Sequence, residues 1–169
     1  MVVNYGFDAL DWQNTLLFAY NWTDTKVERV SLYPTLVGGE MVMQPNLTPQ
    51  RIRMLEDNLP AHRGSITLEQ QNEAFNLTWR LNYYGEFYED HLDASAGMDI
   101  MGSDTLTMDA QIAWHYSPTL LYTLGAQNLF DSTPDVNPYR YEVGSLYPPT
   151  SPGGINGAFY YLGMQYRFN

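Results

Sequence analysis

The sequence has no cysteine and a single lysine, Lys26. The first absence excludes a disulfide framework and every zinc site built on thiolates. The second belongs to a general shortage of positive charge: 8 Lys plus Arg stand against 19 Asp plus Glu, a net charge of −11. Nucleic-acid binding needs clustered cations to neutralise phosphates, so nucleic acid is excluded as a partner. No apolar run reaches the roughly 18 residues that a membrane-spanning helix needs. The N-terminus, Met1-Val2-Val3-Asn4-Tyr5, has no basic region, apolar core or small-residue cleavage site. A full-length exported protein should carry one, so the expectation is a chain that is not exported or the downstream part of a longer one. There is no phosphate-cradling glycine motif, nucleophile elbow or paired zinc-ligand helix either. No catalytic constellation, cofactor or metal is expected.

Aromatic residues, by contrast, are abundant: 14 Tyr, 7 Phe and 4 Trp, or 15% of the chain. Such rings suit places where one end must be apolar and the other wet, among them membrane-interface belts. A sugar-binding surface would use them too, so composition alone leaves both open.

Period two dominates the chain. Phe75, Leu77, Trp79, Leu81, Tyr83 and Phe87 alternate with Asn76, Thr78, Arg80, Asn82, Tyr84 and Glu86. Successive strand side chains point to opposite faces, so this is a strand with one apolar and one polar side. The same pattern runs through Leu16, Phe18, Tyr20 and Trp22, where it is expected to continue toward Val30. It returns at Ile66 and Leu68, at Leu106 to Tyr116, at Leu120 to Gln127, and at Ala158 to Phe168. Val2 to Phe7 adds a short strand. Between them lie short polar turns (8–14, 71–74, 117–119) and long connections (31–60, 89–103, 131–155). The first long connection holds a short helix, with Thr48 as N-cap and Pro49 at the first helical position.

Seven strands result, their connections alternating short and long. Strands of about 9–11 residues with an apolar face, short turns on one rim and long loops on the other, describe an outer-membrane β-barrel. Bacterial barrels have even strand counts, so seven points to an incomplete sheet. Continuous apolar runs, the mark of a doubly covered parallel sheet, are missing.

Leu124-Gly125-Ala126-Gln127-Asn128-Leu129-Phe130-Asp131 is more specific. With Pro134-Asp135-Val136-Asn137-Pro138, Tyr147-Pro148, Ser151 to Gly157 and Phe159-Tyr160-Tyr161, it resembles the C-terminal end of TonB-dependent outer-membrane receptors. Leu81 to Tyr88, and Arg51-Ile52 through Leu59-Pro60 to Arg63-Gly64, also resemble that family. The resemblance runs from about residue 13 to the end and is most specific over 124–168. It implies an all-β antiparallel up-and-down meander forming the last seven strands of a roughly 22-stranded plugged barrel. It also implies energised uptake of a scarce ligand such as a siderophore, cobalamin, oligosaccharide or peptide. The partners would be outer-membrane lipid, a plug domain and TonB, and the location the bacterial outer membrane. The chain departs from the family in lacking a plug, TonB box and signal peptide, and in ending Phe168-Asn169 rather than on the aromatic. Alternative readings are a small complete outer-membrane barrel and a soluble aromatic-rich β-sandwich that binds carbohydrate.

Candidate residues follow from the two faces. Leu77, Trp79, Leu81, Leu106, Ile112, Trp114, Leu162 and Met164 are expected to face lipid. Arg80, Asn82, Asp109, Gln111, Gln127, Gln165 and Arg167 are expected to face the lumen and a plug, with Arg80 and Asp109 pairing if they are cross-strand neighbours. In the loops, Tyr33, Tyr139, Arg140, Tyr141 and Tyr147 are candidates for ligand contact. Glu86, Glu89, Asp90, His91 and Asp93 form an acidic cluster without a calcium-loop pattern, which favours a solvated loop. His62, His91 and His115 are too scattered for metal ligation.

Overall fold

The computed structural model describes residues 1–91 and 93–168; Asn169, and with it the expectation about the chain end, lies outside them. The elements in order are β1 (Val2–Ala9), β2 (Trp12–Trp22), β3 (Leu32–Val37), β4 (Glu40–Pro45), α1 (Pro49–Asp57), β5 (His62–Gln71), β6 (Phe75–Tyr84), β7 (Phe87–Glu89), a 3-10 turn (Ala94–Ala96), β8 (Ile100–Gly102), β9 (Thr105–Ser117), β10 (Leu120–Gln127), α2 (Arg140–Val143) and β11 (Phe159–Tyr166). The protein is all-β in class, with antiparallel sheets and two short helices.

Seven strands form one sheet in the order β1-β2-β5-β6-β9-β10-β11, each paired antiparallel with the next. An antiparallel meander sends alternate connections to opposite rims. The short ones (Leu10 and Asp11; Asn72 to Ala74; Pro118 and Thr119) therefore share one rim, and the three long ones share the other.

Register carries the alternation across the whole sheet. Tyr5, Leu16, Leu68, Trp79, Ala110, Ala126 and Tyr160 lie in one row. Leu77, Ile112, Leu124 and Leu162 lie in the next, and Phe75, Trp114, Tyr122 and Met164 beyond it. One surface is thus apolar from edge to edge along the first of these rows, while on β5 and β2 the second row passes through Gln70 and Asn14, which are hydrogen-bonded to each other at 2.9 Å. No second sheet covers it among the described residues: Trp79 is 38% exposed and Leu162 79%.

Several stretches differ from the expectation. The turn expected over 8–14 is only Leu10 and Asp11, since Asp8 and Ala9 extend β1 and Trp12 to Asn14 begin β2. The second strand ends at Trp22 rather than running toward Val30, because Trp22 pairs with His62, the first residue of β5. The connection over 31–60 contains a hairpin, β3–β4, turned at Gly38 and Gly39, both with positive φ as a two-residue turn requires. And Phe87 is not on the outward face: β6 stops at Tyr84, and Phe87 belongs to the β7–β8 ribbon, where it is 1% exposed. The helix meets the expectation, with Thr48 Oγ1 accepting from the Arg51 amide at 3.2 Å.

Candidate functional site

The polar surface of the sheet gathers the lumen candidates. Arg80 lies between Thr67 and Asp109 in register, and Asn82 between Ser65 and Thr107. Arg80 and Asp109 are direct cross-strand neighbours, yet they do not form the expected ion pair. The Arg80 guanidinium donates through Nε to Thr67 Oγ1 at 3.2 Å. Asp109 instead accepts from Asn82 Nδ2 at 3.0 Å and from the backbone amide of Asn128 at 2.9 Å. A carboxylate with two oxygens can serve a side chain and a backbone donor at once. That second contact starts the turn leaving β10, where Asn128 holds a positive φ and exchanges hydrogen bonds with the backbone of Ser132.

One row further along, Thr78, Gln111, Gly125 and Tyr161 align. The Tyr161 ring lies over Gly125, and its hydroxyl donates to Gln111 Oε1 at 2.7 Å. A shallow concavity of about 290 Å³ opens here, lined by Glu69, Thr78, Arg80, Asp109, Gln111, Gln127 and Tyr161. Gln165 sits toward the short-turn rim opposite Leu121. Arg167 lies past the end of β11, its backbone amide bonded to the Thr119 carbonyl at 2.8 Å. His115 is also on this surface, with Nε2 3.2 Å from Asn76 Nδ2.

On the long-loop rim, α1, the β7–β8 ribbon and the segment around Thr150 lock together. Arg53 stacks on the Tyr88 ring at 3.9 Å and reaches Asp99 at 3.4 Å and Asp57 at 3.8 Å. Asn58 donates to the Tyr88 carbonyl at 2.9 Å and to Thr150 Oγ1 at 3.3 Å, while the Thr150 amide donates to Glu89 at 2.9 Å. Burial raises the pKa of the Tyr88 phenol, and its hydrogen bond to Asp90 and the charges of Asp90 and Asp99 add to this against the pull of Arg53. Beside this assembly runs a cleft of about 520 Å³ whose walls include Asp24, Glu56, Asp57, Glu86, Asp104, Arg53 and His62.

The loop candidates do not converge. Arg140 lies over the Tyr141 ring at 4.5 Å and donates to its hydroxyl at 3.2 Å, so the two satisfy each other. Tyr139 follows Asn137, whose buried side chain accepts from the Tyr139 amide at 2.8 Å. The Tyr147 carbonyl accepts from Ser145. Tyr33 projects from β3 in the separate hairpin. The acidic residues past β6 also turn different ways: Glu89 to Thr150, Asp90 to Tyr88, Asp93 to Ser95. Two hydrogen bonds from Ser95 lower the Asp93 pKa.

Two features escaped the reading of the sequence. Arg53 and Tyr88 lie 35 positions apart, and no local pattern links them. Gly125 did carry a signal, since an isolated glycine inside a strand marks close approach by another group. No family model matches the chain, and no curated protein matches it.

Proposed function

We propose that this chain is the C-terminal barrel segment of a TonB-dependent outer-membrane receptor, a transporter without chemistry of its own. The observation that carries this reading is the apolar surface that crosses all seven strands along the row from Tyr5 to Tyr160. From the Phe75 row to the Tyr83 row it extends roughly 27 Å along the strands, which at a barrel tilt of about 35–45° spans roughly 19–22 Å of the apolar band of about 25 Å on outer-membrane barrels. Aromatic rings stand at the short-turn end: Phe75, Trp114, Tyr116 and Tyr122 pack at centroid distances of 5.2 to 6.4 Å. Tyr20, stacked on His62, and Trp22 stand at the other. Such girdles are where amphipathic rings are stable in a bilayer.

The polar surface, hydrogen-bonded yet open, would line the lumen and meet a plug. Its open edges, β1 and β11, await neighbouring strands. The carbohydrate-binding sandwich reading is disfavoured, because such a fold would bury Trp79, Ile112 and Leu162 between two sheets. Ligand class stays open among siderophore, cobalamin, oligosaccharide and peptide.

Membrane fractionation tests the reading. The protein should partition with the outer membrane and resist extraction by alkaline carbonate. Recovery as a detergent-free soluble monomer would overturn it.

A further inference from the structure

The last long connection returns to the sheet through a clasp. The turn that leaves β10 grips the start of β11 twice. The Ala158 amide donates to Asp131 Oδ1 at 2.8 Å, and the Tyr160 hydroxyl donates to the Leu129 carbonyl at 3.1 Å. Gly157 lies beneath the Asp131 carboxylate with φ at 68°, and a Cβ on it would collide with Oδ1. Glycine alone meets both demands without strain. The clasp therefore fixes which residue follows Asn156.

A glycine in that place exposes Asn156 to its own backbone. With no side chain in the way, the Gly157 nitrogen can reach Asn156 Cγ, the route by which asparagine is chemically labile. Asn156 is exposed. Asp131 takes the Ala158 amide, and among the described residues no backbone carbonyl takes that of Gly157. The other asparagines are shielded, since none of them precedes a glycine. Asn137, 1% exposed, precedes Pro138, which has no N–H. Asn128 precedes Leu129 and is tied to the backbone of Ser132 by both ends of its side chain.

We propose that Asn156 is a site of spontaneous deamidation whose product loosens the clasp at the start of β11. The Gly157 nitrogen forms a bond to Asn156 Cγ, and the Cγ–Nδ2 bond breaks, Nδ2 leaving as ammonia with the amide proton. Water then opens the cyclic imide at one of its carbonyls. The product is aspartate or, with the chain rerouted through Cβ and Cγ, isoaspartate. Water is taken up and ammonia released, with no oxidant or other co-reactant. Either product places a new carboxylate one residue from the backbone that Asp131 grips, and like charges repel. Isoaspartate also lengthens the main chain by a methylene, which shifts Gly157 from beneath Asp131. The chemistry is the same whether lipid or water covers the apolar surface of the sheet.

The folded protein is aged at mildly alkaline pH and digested with trypsin at intervals. Cleavage after Arg140 and Arg167 releases residues 141–167, in which Asn156 is the one asparagine. Mass spectrometry should show its carboxamide replaced by a carboxyl several-fold faster than at any other asparagine. Labelling by isoaspartyl methyltransferase should show isoaspartate outweighing aspartate. Amide exchange at Ala158 should rise several-fold in the aged protein and stay unchanged in equally aged Asn156→Ala, which has no carboxamide to lose. Survival of Asn156 while other asparagines convert at the same rate or faster would overturn the site. Conversion with Ala158 exchange unchanged, or an equal rise in aged Asn156→Ala, would overturn the loosening of the clasp.

Discussion

The ring of Tyr161 occupies the space above Gly125: a Cβ placed on that glycine would sit 2.1 Å from Tyr161 Cζ. The two residues face each other across β10 and β11, and the phenol runs on to Gln111 in β9. One tyrosine thus ties the last strand to the second strand in from it. Gly125→Val should displace the ring and cost about 1–3 kcal/mol, as overpacking does. Tyr161→Phe keeps the ring and loses one hydrogen bond, about 1 kcal/mol. Urea unfolding in micelles, followed by tryptophan fluorescence, would rank the two; an equal or reversed order would refute the packing role.

Neighbouring residues on β9 separate the two faces. Ile112 aligns with Leu77 and Leu124, Gln111 with Thr78 and Gly125. Ile112→Arg should cost roughly 2–4 kcal/mol if lipid covers it near the midplane, and Gln111→Arg far less. Equal tolerance in a membrane-assembly assay would count against the lipid-facing assignment.

Asp109 is held as an anchor for the turn after β10 rather than as a partner of Arg80. Asp109→Ala leaves the Asn128 amide and the Asn82 side chain short of an acceptor, a loss of about 1–3 kcal/mol. Asp109→Asn, which retains one acceptor oxygen, should cost less. Faster amide exchange at Asn128, with Arg80 unaffected, is the local signature.

The β1–β2 turn carries strain. Leu10 and Asp11 both have positive φ, 53° and 64°, in a two-residue turn closed by Ala9 and Trp12. Asn-Gly is the favoured pair there, and a leucine in the left-handed region costs on the order of 1–2 kcal/mol. Leu10 is 93% exposed, so it gains little from packing. Leu10→Asn with Asp11→Gly should raise the urea midpoint; an unchanged or lower midpoint would contradict the strain.

Asp93 caps the 3-10 turn through Ser95, whose amide donates to Oδ1 at 2.9 Å. Its carboxyl pKa is lowered by those bonds, so the cap is at full strength above the ordinary aspartate range and is lost as pH falls through the depressed value. Ser95 amide exchange, corrected for its intrinsic pH dependence, should lose protection only in acid, and Asp93→Asn should remove most of that dependence.

The strands of the large sheet were legible because one apolar and one polar face impose period two on most residues between Phe75 and Tyr84, or Leu120 and Gln127. The helix was legible for a similarly local reason, since Thr48, Pro49 and the Arg51 amide are near neighbours. The partners of Asp109 were not. Two residues opposite one another can each find a better donor or acceptor, and only three-dimensional packing ranks Thr67 against Asp109 for Arg80.

The loop rim was the least legible part. Asn58 and Thr150 meet across 92 positions, and Phe87 fills the place over Gly102 from another strand of the ribbon. What the amino-acid order determined by itself is repetition: alternation, caps and turns, where each signal lies within a few residues of its cause. What tertiary structure decided is which irregular segments bury one another and which, like the β3–β4 hairpin, remain uncovered. Those outcomes depend on contacts between distant residues, and distance along the chain leaves no periodic trace.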